Sequence, residues 1–315
     1  MGIVSLMYHR FNENQYPSTN IKIDVFKKQI EQINNKKINF VIPSNFDKNF
    51  NFKKERKQIL LTIDDAFSSF YENAWPILKK EKIPFILFVS TQPVGKYGYM
   101  TWEQIKEVEK EDFAFIGNHS HSHEYLVEYN FNEFKKDIDT SIRIFNNNIG
   151  YNPIFFSYPF GEFSLEQKKY ISSKFKYGFG QNSGVIDLNK DKYELPRFPI
   201  NEKYGEIKRF KRLLKTIPFP FKKIYPDEKY LNNKNNPPDV KIIFYEDGPD
   251  LKNISCYSNE QDRWRKSKIE LPSKNELKII LDGKFTTERG RINCSLRENN
   301  GNWRWLGIQF VISDL

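Results

Sequence analysis

The sequence predicts an α/β protein in which a parallel sheet or barrel carries helices on its faces, followed by a small all-β, sandwich-like C-terminal domain. Over the first 200 residues, short apolar runs alternate with amphipathic segments, an order typical of repeated β/α units. After residue 238 the helical pattern gives way to strand-like runs and turns, which indicates a separate β domain.

The predicted strands of the first part are IVSLMY, QILLTID, PFILFVS, DFAFIGN and IFFSYPF. The helix-like segments between and after them are FKKQIEQINNKK, SSFYENAWPILKKEK, TWEQIKEVEKE, FNEFKKDIDTSIRIFNN and LEQKKYISSKF. In such folds the loops that follow the strands carry the chemistry. Because the polar clusters YHRF, DDA and NHSHSH each follow an apolar run, we expect them to meet at one end of the barrel.

We place the first domain at 1–222, a linker or surface arm at 223–238 and an accessory β domain at 239–315. The stretch 217–239 is rich in Pro, Lys and Asn without a sustained period, as boundaries often are. Farther on, the turn NNGN predicts a hairpin. Trp303 and Trp305 then share one strand face, which suits sugar stacking or, as we favour, burial in the sandwich core.

The chain has 315 residues and a formal net charge of +10, and much of the excess lies in residues 203–234. Within that segment Ile207, Phe210, Leu214 and Ile217 form one helical stripe with basic residues around it. We favour a solvated helix face. The alternative is a surface for an anionic partner such as phospholipid or polyanionic glycan; nucleic acid is disfavoured because no groove-reading motif is present.

No run approaches the roughly 20 apolar residues of a membrane-spanning helix, and the opening MGIVSLMYHRF lacks the features of a secretory signal. We therefore expect a cytoplasmic protein, or one at the membrane periphery. Cys256 and Cys294 follow no metal-ligand spacing. Buried free thiols are expected rather than a disulfide.

The segment HSHSH holds three of the four histidines of the chain. His119 and His123 can face one metal ion if the segment turns helically, and imidazole suits zinc. Asp64 and Asp65 end the apolar run LLTI, where burying two carboxylates without a cation is costly. One of them can ligate a metal while the other takes a proton; helix capping, the alternative, explains one carboxylate better than two.

At these residues the sequence resembles the NodB-type polysaccharide deacetylases of carbohydrate esterase family 4. The family motifs T-[FY]-D-D-G and H-[ST]-x-[ST]-H stand here as TIDDA and HSHSH, and YMTWEQIKEV is also similar to the family. The resemblance implies a distorted (β/α) barrel of the NodB type and a hydrolase that removes N-acetyl groups from an amino-sugar polysaccharide or glycan precursor of the cell envelope. It also implies one divalent metal ion, for which we expect Zn²⁺.

The resemblance implies that Asp65, His119 and His123 are the metal ligands and that Asp64 is the general base. His121 should then point away from the ligands. Three protein ligands leave an open position for water, which suits this division of roles.

The third family motif, R-x-P-[YF], stands as SYPF. It implies that Phe160 gives its backbone N–H to an oxyanion hole, with Tyr158 and Pro159 lining the site. Ser157 stands where the family has an arginine that braces the base. Arg197 is the candidate for a basic residue in the site, with an ordinary surface arginine as an equal alternative.

The last family motif, L-x-x-H, is missing from the chain. A subset resembling biofilm poly-N-acetylglucosamine deacetylases moves that role to an N-terminal YH, which makes His9 the expected general acid. Trp102 is expected to line the site. Ala66 replaces the glycine of the first motif, which could alter the turn after Asp65.

Three function classes stay open. The first is N-deacetylation of a glycan, which the motifs jointly favour. The second is action of the same fold on another C–N bond, such as deformylation of a lipid-linked sugar. The third is a catalytically inactive glycan-binding protein, which the complete set of base and ligands disfavours.

Overall fold

The computed structural model describes residues 2–46, 48, 57–187 and 191–313. The strands of the first part are β1 Ile3–Tyr8, β2 Arg10–Phe11, β3 Asn20–Ile21, β4 Asn39–Phe40, β5 Gln58–Ile63, β6 Phe85–Val89, β7 Ala114–Asn118, β8 Phe155–Ser157, β9 Tyr177–Phe179 and β10 Phe198–Pro199. The helices are α1 Ile23–Asn35, α2 Trp75–Glu81, α3 Trp102–Glu109, α4 Phe131–Ile149, α5 Leu165–Lys174 and α6 Ile207–Leu213.

Eight of the strands form one curled sheet in the order β10-β1-β5-β6-β7-β8-β9, with β4 paired to β5. The pairings in this sheet are parallel. A bridge between Phe179 and Leu195 brings the β9 edge beside the chain that leads into β10. The predicted distorted (β/α) barrel is confirmed.

Both faces of this sheet are buried, because residues of alternate parity along each strand enter different cores. On β5, Ile59 and Leu61 pack with the helices, while Leu60 packs inside the barrel with Phe88 and Phe179. Continuous apolar strands are therefore required, and polar side chains enter mainly where the strands end. Three of the helices, α3, α4 and α5, begin at capping boxes formed by Thr101, Asn130 and Ser164.

The C-terminal part contains β11 Thr216–Ile217, β12 Phe221–Tyr225, β13 Tyr230–Leu231, β14 Val240–Phe244, β15 Ser255–Ser258, β16 Arg265–Lys266, β17 Lys268–Ser273, β18 Glu276–Ile280, β19 Arg289–Arg297 and β20 Trp303–Ile312. One sheet has the order β11-β20-β19-β15-β16, with β13 on β20, and the other has the order β12-β14-β18-β17. A shared apolar core includes Ile242, Leu277, Ile292 and Phe310. The predicted linker 223–238 contributes to both sheets through β12 and β13; the division into domains stays a prediction.

Two details of this part differ from the expectations. Cys256 and Cys294 form a disulfide, so the expectation of free thiols is wrong. The two residues lie directly opposite each other on β15 and β19, a register that spacing along the sequence does not reveal. Ile217, predicted on the helical stripe with Phe210, lies instead on β11.

The hairpin between β19 and β20 is confirmed, and Gly301 in its turn has a φ of 81°. Trp303 and Trp305 are half-buried, and Trp305 packs against Phe198 of the barrel rather than in the sandwich core. Among the described residues, no helix is long and apolar enough to cross a bilayer.

Candidate active site

The candidate site lies where the parallel strands end, because each strand there delivers a polar residue to the same edge of the sheet. His9 follows β1, Asp64 follows β5, and His119 follows β7. Two residues at the same place have a left-handed backbone conformation: the φ angles of Asp65 and His123 are 75° and 57°. Left-handed conformations cost energy in residues other than glycine and often mark functional sites.

Asp65, His119 and His123 bring three ligand atoms together within 4.8 Å of one another. Asp65 Oδ1 lies 3.4 Å from His119 Nε2 and 3.1 Å from His123 Nε2. Asp65 Oδ1 and His119 Nε2 are buried and have no hydrogen-bond partner within the described part of the chain. Buried polar atoms are rarely left unpaired, and one carboxylate with two imidazoles is a zinc-type donor set. The residues therefore fit a divalent metal ion.

A hydrogen bond of Nδ1 fixes the tautomer of the His119 ring. Nδ1 lies 2.6 Å from the carbonyl oxygen of Ser157. A carbonyl can only accept, so Nδ1 carries the proton and donates, and the lone pair stays on Nε2, which points to Asp65. Ser157, the residue that departs from the family motif, thus orients a predicted ligand through its backbone.

The loop that carries the histidines is held by α4. Asp137 of α4 accepts hydrogen bonds from the backbone N–H groups of His121 and Ser122 at 2.8 and 3.0 Å. The His121 ring turns away and meets the Thr91 hydroxyl at 2.8 Å. This loop places the rings of His119 and His123 beside Asp65 and the ring of His121 beside Thr91.

Asp64 is fully buried and forms a bidentate ion pair with Arg197. Arg197 Nη1 and Nη2 donate to Asp64 Oδ1 and Oδ2 at 2.6 and 2.8 Å. The same guanidinium donates to Ser157 Oγ at 2.8 Å and to the Gly180 carbonyl at 2.9 Å. Burial alone would raise the pKa of Asp64, but the positive charges of Arg197 and nearby histidines outweigh it and hold that pKa below its usual range. Arg197 is 0% exposed, which excludes the surface-arginine alternative.

His9 lines the cleft beside Asp65 and His123. Burial lowers its pKa, while the charges of Asp65 and Asp64 oppose that effect. His9 therefore lies near enough to both carboxylates to interact with their charges.

The turn after β8 presents Phe160 to the cleft, while its neighbours lie beneath it. Phe160 has a φ of 57° and stacks on Tyr125 with ring centroids 4.4 Å apart. Pro159 and Tyr158 are buried, and Tyr158 packs on Phe163. Tyr158 and Pro159 thus support the Phe160 turn and are not among the residues that line the cleft.

The expectation that Trp102 lines the site stays a prediction. Trp102 begins α3 and packs its ring edge-on against Phe145 of α4, with centroids 5.8 Å apart. It is not among the cleft-lining residues. A motif fixes the position of a residue in the chain, but the side to which a helix turns depends on its packing partners.

The cleft has a volume of about 810 Å³, and the C-terminal sheet forms one of its walls. That wall includes Arg289, Arg291, Asn293, Trp305 and Gln309 from β19 and β20. Sequence reasoning missed all of these except Trp305. The signal available was the alternation in RGRIN, which puts polar residues on one strand face, but the sequence does not say what that face meets.

Comparisons with known proteins identify a similar family, similar sequences and similar folds. Residues 51–178 match the sequence profile of the polysaccharide deacetylase family. A Staphylococcus aureus (strain MRSA252) protein named poly-beta-1,6-N-acetyl-D-glucosamine N-deacetylase is 26% identical over 164 residues, which are 48% of this chain and 57% of that protein. The chain thus matches little more than half the length of that relative.

Two solved structures share the fold. A Streptococcus pyogenes deacetylase, PplD, in complex with acetate has a TM-score of 0.60 at 22% identity, covering 65% of this chain and 94% of that one. IcaB from Ammonifex degensii has a TM-score of 0.58 at 24% identity, with the same coverage of 65% and 94%.

Proposed function

Because this chain carries a polysaccharide deacetylase domain of the NodB type, we propose that it is a metal-dependent hydrolase that removes N-acetyl groups from an amino-sugar polysaccharide or glycan precursor. One observation carries the proposal: Asp65, His119 and His123 converge on one point, while the separate carboxylate of Asp64 lies 3.8 Å from His119 Nε2. Three ligands and a separate carboxylate that can act as a base, all at the same end of the strands, are what amide hydrolysis by a metal enzyme needs.

In this proposal Asp65, His119 and His123 hold the metal ion, and the donor set favours Zn²⁺. When bound, such an ion would lower the pKa of a water molecule to about 7 and would polarise a carbonyl. The unpaired Asp65 Oδ1 and His119 Nε2 support this assignment.

Asp64 acts as the general base and takes a proton from the attacking water. The contact with Arg197 keeps its carboxylate ionised and fixes its orientation. Asp64 pairs with Arg197 and is not one of the three proposed metal ligands. Its carboxylate can therefore accept a proton.

His9 and the Phe160 turn complete the proposed machinery. His9, at the end of the neighbouring parallel strand β1, donates a proton to the departing amine, which must leave neutral near physiological pH. The Phe160 backbone N–H stabilises the negative charge that develops on the amide oxygen. Both residues line the cleft that holds Asp65 and His123.

The proposed substrate is an N-acetylated glucosamine polymer or its precursor, in keeping with the printed name of the relative from Staphylococcus aureus. Where in the cell the protein works stays a prediction. The sequence predicts a cytoplasmic location, whereas the disulfide between Cys256 and Cys294 favours an oxidising compartment.

Metal content and acetate release test the proposal together. Elemental analysis of the wild type, His119→Ala and the matched control His121→Ala should give about one divalent ion per chain, almost none, and about one. The wild type should release acetate from N-acetylglucosamine oligomers and lose that activity with a chelator. Release of formate from N-formylated sugars but no acetate would favour the deformylase alternative, and a wild type without metal after zinc is supplied would contradict the proposal.

A further inference from the structure

The face that the C-terminal sheet turns to the cleft is polar and cationic. Along β19, Arg289, Arg291 and Asn293 line the cleft, whereas Ile292 and Cys294, at alternate positions of the strand, lie in the sandwich core. The period of two along a strand produces this separation. A wall built from a second domain can select a substrate that the metal site alone would not distinguish.

Arg291 is half-buried and lacks a carboxylate partner among the described residues. Its Nε lies 3.4 Å from the neutral Gln309 Oε1, across the β19–β20 pair. Burial and the charge of Arg289 lower the pKa of Arg291. Arg289, by contrast, is paired with the buried carboxylate of Glu162. In this wall, therefore, the charge of Arg289 is balanced by a carboxylate, whereas the charge of Arg291 is not.

Arg209 reaches the same cleft from α6. Its neighbours Lys208, Lys211 and Arg212 are exposed, but Arg209 is half-buried and lines the cleft. Its Nη1 donates to the carbonyls of Tyr204 and Pro199, and burial lowers its pKa to about 10. Within the described ranges Arg209 also has no carboxylate within ion-pair distance.

Most of the charged side chains in the cleft lining are therefore positive. Its described lining holds Lys203, Arg209, Arg289 and Arg291 but only one carboxylate, Asp65. Partly desolvated cations without counter-charges are costly, and an anion from outside can offset that cost. A guanidinium group can donate two parallel hydrogen bonds to a pair of oxygens of a phosphate or a carboxylate.

An aromatic rim accompanies these cations. Trp264 and Tyr257 line the same cleft and are 52% and 45% exposed. Exposed aromatic rings can stack on the apolar faces of sugars. The combination favours a charged sugar over a free inorganic anion.

We propose that Arg209 and Arg291 form a subsite for an oxyanion, a phosphate or a carboxylate, carried by the glycan whose N-acetyl group reaches the metal site. This inference rests on the proposed deacetylase function and adds the substrate class. A neutral polymer of N-acetylglucosamine would leave both guanidinium groups without a counter-charge, so the preferred substrate is an anionic N-acetylated glycan.

Binding of three probes tests the subsite directly: N-acetylglucosamine tetramer, the same tetramer with a 1-phosphate, and a hyaluronan tetrasaccharide that carries carboxylates. Titration calorimetry is done with Asp64→Asn so that the probes are not consumed. At least one anionic probe should bind about tenfold more tightly than the neutral tetramer, and added salt should reduce the difference. Comparing the 1-phosphate probe with the hyaluronan probe shows whether phosphate or carboxylate is recognised.

Variants then assign the effect to the two arginines. Arg291→Gln and Arg209→Gln should each remove most of the preference, Arg291→Lys should keep part of it, and Arg297→Gln, exposed on the same strand β19, should change nothing. Circular dichroism checks that each variant is folded. Equal binding of neutral and anionic probes, binding of neither anionic probe, or an unchanged preference in both glutamine variants would overturn the subsite.

Acetate release by the wild-type enzyme separates this inference from the function on which it rests. Charge-selective binding without acetate release from any probe would sink the deacetylase proposal and leave the subsite standing. Acetate release at the same rate from neutral and anionic probes would sink the subsite alone.

Discussion

Arg197 and Asp64 lie 133 residues apart in the chain and meet through two hydrogen bonds of 2.6 and 2.8 Å. Arg197 precedes β10 while Asp64 follows β5, and β1 lies between those two strands in the sheet. Ser157 accepts a third hydrogen bond from the same guanidinium. The family motif would place an arginine beside the base at position 157. In this chain Arg197 provides that guanidinium instead, and the small side chain of Ser157 leaves room for it.

Loss of this brace should change the pH dependence of catalysis as well as its rate. Arg197 lowers the pKa of Asp64, so Arg197→Met should raise that pKa. Because the proposed base must be ionised, the acid limb of the kcat/KM profile should move to higher pH. Removing one partner of a buried pair should also cost about 3–5 kcal/mol of stability, measured by urea unfolding.

Arg197→Lys is the matched variant, since it keeps the charge but cannot make the two parallel hydrogen bonds. Its acid limb should lie between those of the wild type and Arg197→Met. If Arg197→Met has the wild-type acid limb with a reduced rate, Arg197 stabilises the fold without acting on Asp64.

Asp64→Asn should retain the metal ion and lose turnover. The substitution leaves Asp65, His119 and His123 in place but removes the proton acceptor, for which a loss of about 10²–10⁴-fold in kcat is expected. Elemental analysis and acetate release measure the two effects separately. A metal-free Asp64→Asn with a metal-loaded Asp65→Asn would show that the roles of the two aspartates are exchanged.

How far the sequence predicts this site depends on how local each contact is. HSHSH and the aspartate pair are short motifs at strand ends, so the convergence of Asp65, His119 and His123 could be expected. The pairing of Asp64 with Arg197 could only be guessed, because it depends on how the chain returns to the sheet before β10. The direction of Trp102 and the cleft position of Arg291 depend on the packing of helices and domains, which no periodicity encodes.

His9→Ala should also keep the metal ion, because His9 lies outside the three-residue ligand set. Loss of the proposed general acid should lower kcat by about 10²–10⁴-fold, and less so for an activated substrate whose leaving group needs no proton. Rates on an N-acetylated sugar and on an aryl acetate ester compare the two cases. An equal loss on both substrates would argue against proton donation by His9.

The disulfide should stabilise the β domain. A bridge across 38 residues contributes about 2–4 kcal/mol, so a reducing agent should lower the Tm. The double variant Cys256→Ser/Cys294→Ser should already have the lower Tm and no longer respond to the reductant. A wild type whose Tm is insensitive to reduction, with both thiols shown to be free and reactive, would contradict this expectation.

The C-terminal sheet should also matter for catalysis, through Gln309. Gln309 Nε2 donates to the carbonyls of Phe160 and Gly161 at 3.0 and 3.3 Å, and so ties β20 to the turn that presents the proposed oxyanion donor. Gln309→Glu has the same size but cannot donate, and its charge repels the two carbonyls. We expect kcat to fall about tenfold, with the metal content unchanged.

Gln261→Glu is the matched control, since Gln261 lies in the same β domain but does not line the cleft. Its kcat should equal that of the wild type. If Gln309→Glu raises KM at constant kcat, the side chain contacts substrate rather than positioning the turn. If it changes neither constant, the Phe160 turn keeps its shape without the hydrogen bonds from Gln309.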